Sequence, residues 1–97
     1  MKIAFFSAQK YEQTFFTKHN QAGHELLFFS ERLTLLSAKL AQGCDVVCAF
    51  VNDDLSATVL ESLHAFNIKL ITLRCAGFNN VDLISAKNLG LHITRVP

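Results

Sequence analysis

The run Asp45-Val46-Val47-Cys48-Ala49-Phe50-Val51 is apolar at every position after its first. A strand with one wet face alternates apolar and polar residues, so an unbroken run belongs to a strand covered on both sides. That points to a parallel sheet, because parallel strands need long crossovers and the crossovers lay helices over the faces. Four more β-rich runs surround it: Lys2 to Ser7, His24 to Ser30, Lys69 to Arg74 and Leu91 to Val96. Between the runs lie helical spacings. Tyr11 to Gln21 carries Tyr11, Phe15 and Phe16, and Thr34 can cap a short helix through Leu35, Leu36, Ala38 and Leu40 that Gly43 closes. Ser56 can cap a helix with Val59, Leu60, Leu63 and Phe66 on one stripe, stopping at Asn67. Asn80 or Asp82 can cap a last one through Leu83, Ile84 and Ala86, ended by Gly90. The expected class is α/β: a doubly wound, parallel five-stranded sheet with helices on both faces.

Ninety-seven residues allow one domain at most. Nine Lys and Arg stand against eight Asp and Glu, a net charge of +1, which offers neither the basic footprint that nucleic acid attracts nor a surface for anionic membrane lipid. The apolar runs are too short for a membrane span, and no signal-peptide pattern opens the chain, which implies a cytoplasmic protein. Cys44, Cys48 and Cys75 are odd in number and lack zinc-ribbon spacing, so they read as reduced, buried thiols. His19, His24, His64 and His92 show no HxxxH or HExxH spacing, and no metal is expected.

Ligands of open α/β sheets gather at the carboxyl ends of the strands, here the loops after Phe6, Phe50 and Arg74. The first loop reads SAQKYEQ, without the glycine that phosphate cradling wants. Asp53 and Asp54 follow the third strand, where a phospho-accepting receiver keeps its aspartate, but Phe5, Phe6 and Ser7 stand where its metal-binding acidic pair would be. A solvated loop is the plainer reading of both aspartates. Only Gly23, Gly43, Gly77 and Gly90 exist, so no GxGxxG dinucleotide fingerprint can be written. Cys75 has no nearby histidine in sequence to activate it and reads as a small buried hydrophobe.

The fourth strand ends differently, in LITLRCAGFNNVD, Leu70 to Asp82. Gly77 permits a tight turn and close approach of a ligand to the main chain, Ala76 is too small to block it, and Asn79 or Asn80 can tie the loop to itself. Two main-chain N–H groups aimed at one point beside a helix would bind a carboxylate. The bland alternative is that Gly77 merely turns the corner, Arg74 pairs with a neighbouring carboxylate and Asn80 caps a helix. Spacing alone leaves both open.

LRCAGFNNVD, with AKNLGLHITRVP behind it and CDVVCAFVNDDLSATVLESL before it, resembles the N-terminal portion of the D-isomer-specific 2-hydroxyacid dehydrogenases, the D-lactate dehydrogenases among them. The likeness runs from MKIAFFSAQKYEQ to the final VP. It implies a flavodoxin-like substrate-binding lobe that packs against a separate Rossmann domain binding NAD, with pyruvate or D-lactate in the cleft between. By the same resemblance Ala76 and Gly77 offer main-chain N–H groups to the substrate carboxylate, and Phe50 walls the pocket. Arg74, Asn79 and Asn80 support the loop. Tyr11, Asn52 and Asp53 border the cleft in such a lobe, although surface packing for Tyr11 and solvation for the other two are the simpler readings.

The resemblance covers residues 1–97 as the first part of the substrate-binding domain and no more. The family's catalytic arginine, histidine and acidic residue, and its NAD-binding Rossmann domain, have no counterpart here, so no catalytic, cofactor-binding or metal residue is assigned. The expectation is a fragment of an NAD-dependent D-lactate dehydrogenase, inactive alone, binding no NAD by itself and prone to self-association through bared apolar faces. The competing reading is a stand-alone module that binds a small carboxylate or docks a protein.

Overall fold

A computed structural model describes residues 1–74 and 80–95. Its elements run β1 (Lys2–Phe5), α1 (Lys10–Lys18), β2 (Glu25–Phe28), a 3₁₀ turn (Ala38–Ala41), β3 (Val46–Ala49), α2 (Ala57–Ala65), β4 (Leu70–Leu73), α3 (Leu83–Leu89) and β5 (His92–Arg95). The five strands form one sheet in the order β2-β1-β3-β4-β5, and every pairing is parallel. The unalternated run occupies the middle strand: Val46, Val47, Cys48 and Ala49 are all buried. Among the described residues no helix is long and apolar enough to cross a membrane.

The strand order decides which face each connection covers. From β1 the chain steps outward to the β2 edge, then crosses back and keeps moving the other way to β5. Right-handed crossovers therefore put α1 on one face and the later connections on the opposite one. Side-chain alternation agrees with this. Ala4, Phe6, Val47, Ala49, Ile71 and Leu73 share a core with Val59, Leu60 and Leu63 of α2 and Ala86 of α3. Phe5, pointing the other way, lies 4.7 Å ring to ring from Phe28 and 4.9 Å from Phe16 of α1.

One expected helix is absent. Between β2 and β3 the chain forms only the 3₁₀ turn over Ala38–Ala41. Thr34 and Ser37 account for it: the Thr34 N–H donates to Ser37 Oγ (2.8 Å), Ser37 N–H donates to Thr34 Oγ1 (3.2 Å), and Ser37 Oγ donates to the Arg32 carbonyl (2.8 Å). Hydroxyls that satisfy nearby main chain compete with a helical ladder. Leu33 is consequently the residue driven into the core, while Leu36 is left 86% exposed.

The capping of α3 is also resolved. Asp82, not Asn80, is its N-cap, accepting from Ser85 N–H at 3.0 Å. At the other end Gly90 takes the left-handed conformation, φ 74°. A β-carbon there would meet nothing within 4 Å, so a substitution is opposed by backbone strain alone. Gly90→Ala is accordingly expected to destabilise the chain by about 1–2 kcal/mol, read from urea unfolding midpoints. An unchanged midpoint would contradict it.

Candidate functional site

The carboxyl ends of β1, β3 and β4 are neighbours in the sheet, and the loops leaving them are held by three polar side chains, Arg74, Asp53 and Asn80. Arg74 continues β4, its N–H donating to the Ala49 carbonyl at 2.8 Å. The guanidinium then lies back across the strand ends. Nε donates to Glu12 Oε2 (2.6 Å), Nη1 to the Cys48 carbonyl (3.0 Å), and Nη2 to the carbonyls of Phe6 (2.7 Å) and Ser7 (3.2 Å). Its carbon sits 5.9 Å from the centre of the Phe5 ring and 5.5 Å from that of Phe50. Donors spread along a rigid planar fork can reach carbonyls of two strands and a carboxylate at once, whereas a lysine radiates three from a single nitrogen.

This ion pair is nearly dry, with the Arg74 and Glu12 side chains 5% and 12% exposed. Burial works against the guanidinium charge, and the bonds to Cys48 and Glu12 outweigh it, so the arginine is held still more firmly protonated than usual. Glu12 has a second duty at the start of α1, where its Oε1 accepts the Gln9 N–H at 2.9 Å. One carboxylate thereby finishes a helix terminus and anchors the end of β4. Burial pushes the Cys48 thiol up, and Arg74, 3.6 Å from the sulfur, only partly offsets this. A thiol so placed is a poor nucleophile near neutral pH.

Asp53 corrects the solvated-loop reading. It is 2% exposed, and its carboxylate accepts three bonds: Oδ1 from Ser7 Oγ (2.6 Å) and Leu33 N–H (2.8 Å), Oδ2 from Phe50 N–H (2.8 Å). Loops following β1, β2 and β3 thus meet on one side chain. A buried carboxylate is tolerable because donors replace the water it lost. Ser7 holds a left-handed φ of 54°, a conformation costly for a non-glycine residue, fixed here by the bonds of its hydroxyl, N–H and carbonyl. Asn80 closes the group, its Nδ2 donating to the carbonyls of Phe50 (3.1 Å) and Asp53 (3.0 Å).

The half-buried Phe50 therefore sits between Arg74 and Asn80, the residues flanking positions 75–79. Ala76, Gly77, Asn79 and Cys75 lie outside the described residues. Tyr11 is 72% exposed on α1. Asn52 is exposed, its carbonyl accepting from Arg32 Nε at 2.8 Å. Glu12, Ser7 and the buried state of Asp53 escaped the sequence reading. The spacing of Gln9 and Glu12, a helix-start signal, marks Glu12 as a capping residue, but nothing local couples it to Arg74, 62 positions away.

The start of α1 does not suit a dinucleotide phosphate. At the start of α1 the N–H groups of Ser7, Ala8 and Gln9 are already donated to Glu31, Phe29 and Glu12, and the Glu12 carboxylate stands where an anion would have to sit. Among the described residues no group of three or more His, Cys, Asp or Glu side chains is arranged to hold a metal ion.

The family model for the D-isomer specific 2-hydroxyacid dehydrogenase catalytic domain matches residues 3–97. D-lactate dehydrogenase of Escherichia coli is 52% identical over 98 residues, an alignment covering all of this chain and 30% of that protein. A 2-hydroxyacid dehydrogenase homolog of Zymomonas mobilis is 48% identical with the same coverage. The apo structure of the Escherichia coli D-lactate dehydrogenase superposes with a TM-score of 0.96, covering all of this chain and 31% of that one. D-lactate dehydrogenase from Lactobacillus jensenii, solved with NAD+, superposes at 0.88 with 32% identity, again over all of this chain and 30% of that one. The chain spans about 30% of the length of these relatives and aligns with their N-terminal part. With the family model matching residues 3–97 and the whole chain superposing on such a dehydrogenase, the chain belongs to the D-isomer specific 2-hydroxyacid dehydrogenase family.

Proposed function

We propose that this chain is the N-terminal part of the substrate-binding domain of an NAD-dependent D-lactate dehydrogenase, and that it receives the carboxylate of a small 2-keto or 2-hydroxy acid, pyruvate or D-lactate. The observation that carries the reading is the 52% identity to the Escherichia coli D-lactate dehydrogenase along the whole chain. Main-chain N–H groups of Ala76 and Gly77 take the carboxylate in this proposal, Phe50 walls the site, and Arg74 and Asn80 hold the two ends of the loop. N–H donors suit the task because they bind an anion without a mobile cationic side chain.

Reduction of a keto acid needs a hydride donor, which NAD supplies in its reduced form, and a general acid beside the reacting oxygen. The chain spans about 30% of the length of its relatives, and in this proposal the cofactor and the acid are held by polypeptide outside residues 1–97, and these residues alone turn over no substrate. Their contribution is to bind and orient the acid head group, which sets the approach geometry on which transfer depends. Free, buried Cys44 and Cys48 suit a reducing cytoplasm.

Oxamate, a pyruvate isostere, tests the site directly. Titrated into the isotopically labelled chain, it is expected to shift the amide resonances of Ala76 and Gly77 before any others. Resonances that stay put at saturating oxamate would overturn the carboxylate reading, and turnover of pyruvate with NADH by residues 1–97 alone would overturn the division of labour. Exposed Phe15, Leu36 and Ile84 add a further expectation, that the chain self-associates as its concentration rises. Sedimentation showing a monomer throughout would contradict it.

A further inference from the structure

We propose that Asp53, acting with Asn80, is a positioning residue of this site: its buried carboxylate sets the main chain of Phe50. The proposal deepens the reading of Phe50 as a wall of the keto-acid site and rests on it.

The two carboxylate oxygens face different partners. Oδ1 accepts from Ser7 Oγ and Leu33 N–H and so knits together the loops after β1 and β2. Oδ2 accepts from the Phe50 N–H at 2.8 Å. In return the Phe50 carbonyl accepts from the Asp53 N–H at 3.0 Å, which closes a four-residue turn whose first residue is bonded on both its main-chain groups to its last. Asn80 braces that turn from outside, donating to the carbonyls of Phe50 and Asp53. These bonds fix the main chain from which the ring projects, 5.5 Å from the Arg74 guanidinium. Phe50 is therefore aimed from within its own loop by Asp53 and from beyond β4 by Asn80, and a wall residue must be aimed within a fraction of an ångström to act on a ligand only a few atoms long.

The split between the oxygens separates positioning from plain stability. In Asp53→Asn the amide oxygen can keep the Ser7 and Leu33 bonds, but the amide nitrogen then faces the Phe50 N–H, donor against donor. Ser7→Ala removes one bond from Oδ1 and leaves the Phe50 contact alone. Both variants lose fold stability, and only the first disturbs Phe50.

The test compares the labelled 97-residue chain with these two variants, using oxamate as the probe and the Phe50 amide resonance as a second readout. Loss of the charge-assisted bond is expected to move the Phe50 resonance upfield and to weaken oxamate binding about tenfold in Asp53→Asn, with Ser7→Ala within about twofold of the wild type. Equal affinity for all three chains overturns the proposal, and so does an equal loss in both variants, which would mark Asp53 as merely structural. Should the wild type itself not bind oxamate, the keto-acid reading falls. The positioning claim is then decided by the Phe50 resonance, and an unmoved signal in Asp53→Asn overturns it. If Asp53→Asn does not fold, Asn80→Ala, which takes one of two donors from the Phe50 carbonyl and leaves the Asp53 carboxylate bonded, is expected to weaken oxamate in its place, and wild-type affinity overturns the proposal.

Discussion

Arg74→Met is expected to lower the unfolding free energy by about 3–5 kcal/mol, the cost of breaking a buried ion pair from one side. The substitution leaves the Glu12 carboxylate, 12% exposed, without its cation, and takes donors from the carbonyls of Phe6, Ser7 and Cys48. Methionine keeps much of the volume, so the loss is electrostatic and not a cavity. For that reason Glu12→Gln added to Arg74→Met is expected to cost less than the sum of the two single changes, since no lone buried charge remains. Arg74→Lys is expected to recover only part of the loss, because one ammonium cannot span both strand ends and the carboxylate. Urea unfolding of the four variants measures all of this. A loss below about 1 kcal/mol for Arg74→Met would place the pair among those that contribute little, as exposed pairs do.

A loss of similar size, about 3–5 kcal/mol, is expected for Phe6→Ala, this time from a cavity. Phe6 is fully buried on the face toward α2, with its ring 5.4 Å from that of Phe29. Its N–H donates to the Cys48 carbonyl at 3.0 Å and its carbonyl accepts from Arg74, so the backbone around it cannot easily collapse into the space. A domain this size has about 5–15 kcal/mol to lose, and either change removes a large share. Tyr11→Ala is the control: it removes an aromatic ring of similar size from a site 72% exposed, and a change within about 0.5 kcal/mol is expected. If the two aromatic truncations cost the same, burial is not what decides them.

The pattern of the chain was readable where its cause is local. Val46 to Ala49 carries no polar residue, and a strand of that kind has to be covered on both faces, which is how the structure uses it. Gly90 ends α3 because a left-handed residue is cheapest without a β-carbon. The same local logic failed at Thr34, where apolar residues at helical spacing suggested a helix. There the reciprocal Thr34 and Ser37 bonds hold a tighter turn and leave Leu36 outside. Asp53 looked solvated because aspartates in a polar loop usually are; it is in a loop but buried, and two of its donors come from Ser7 and Leu33, 46 and 20 positions away.

By itself, then, the sequence determined the alternation of strands and helices, the parallel sheet and the family likeness carried by LRCAGFNNVD, because periodicity, end signals and motif order are written within short windows of chain. Tertiary structure alone decided which carboxylate answers Arg74, that Asp53 is buried and bonded, and that both act around Phe50. Hydrogen bonds and ion pairs between distant loops depend on where the sheet delivers the strand ends, and that delivery follows the strand order, which brings β1, β3 and β4 side by side although long stretches of chain separate them.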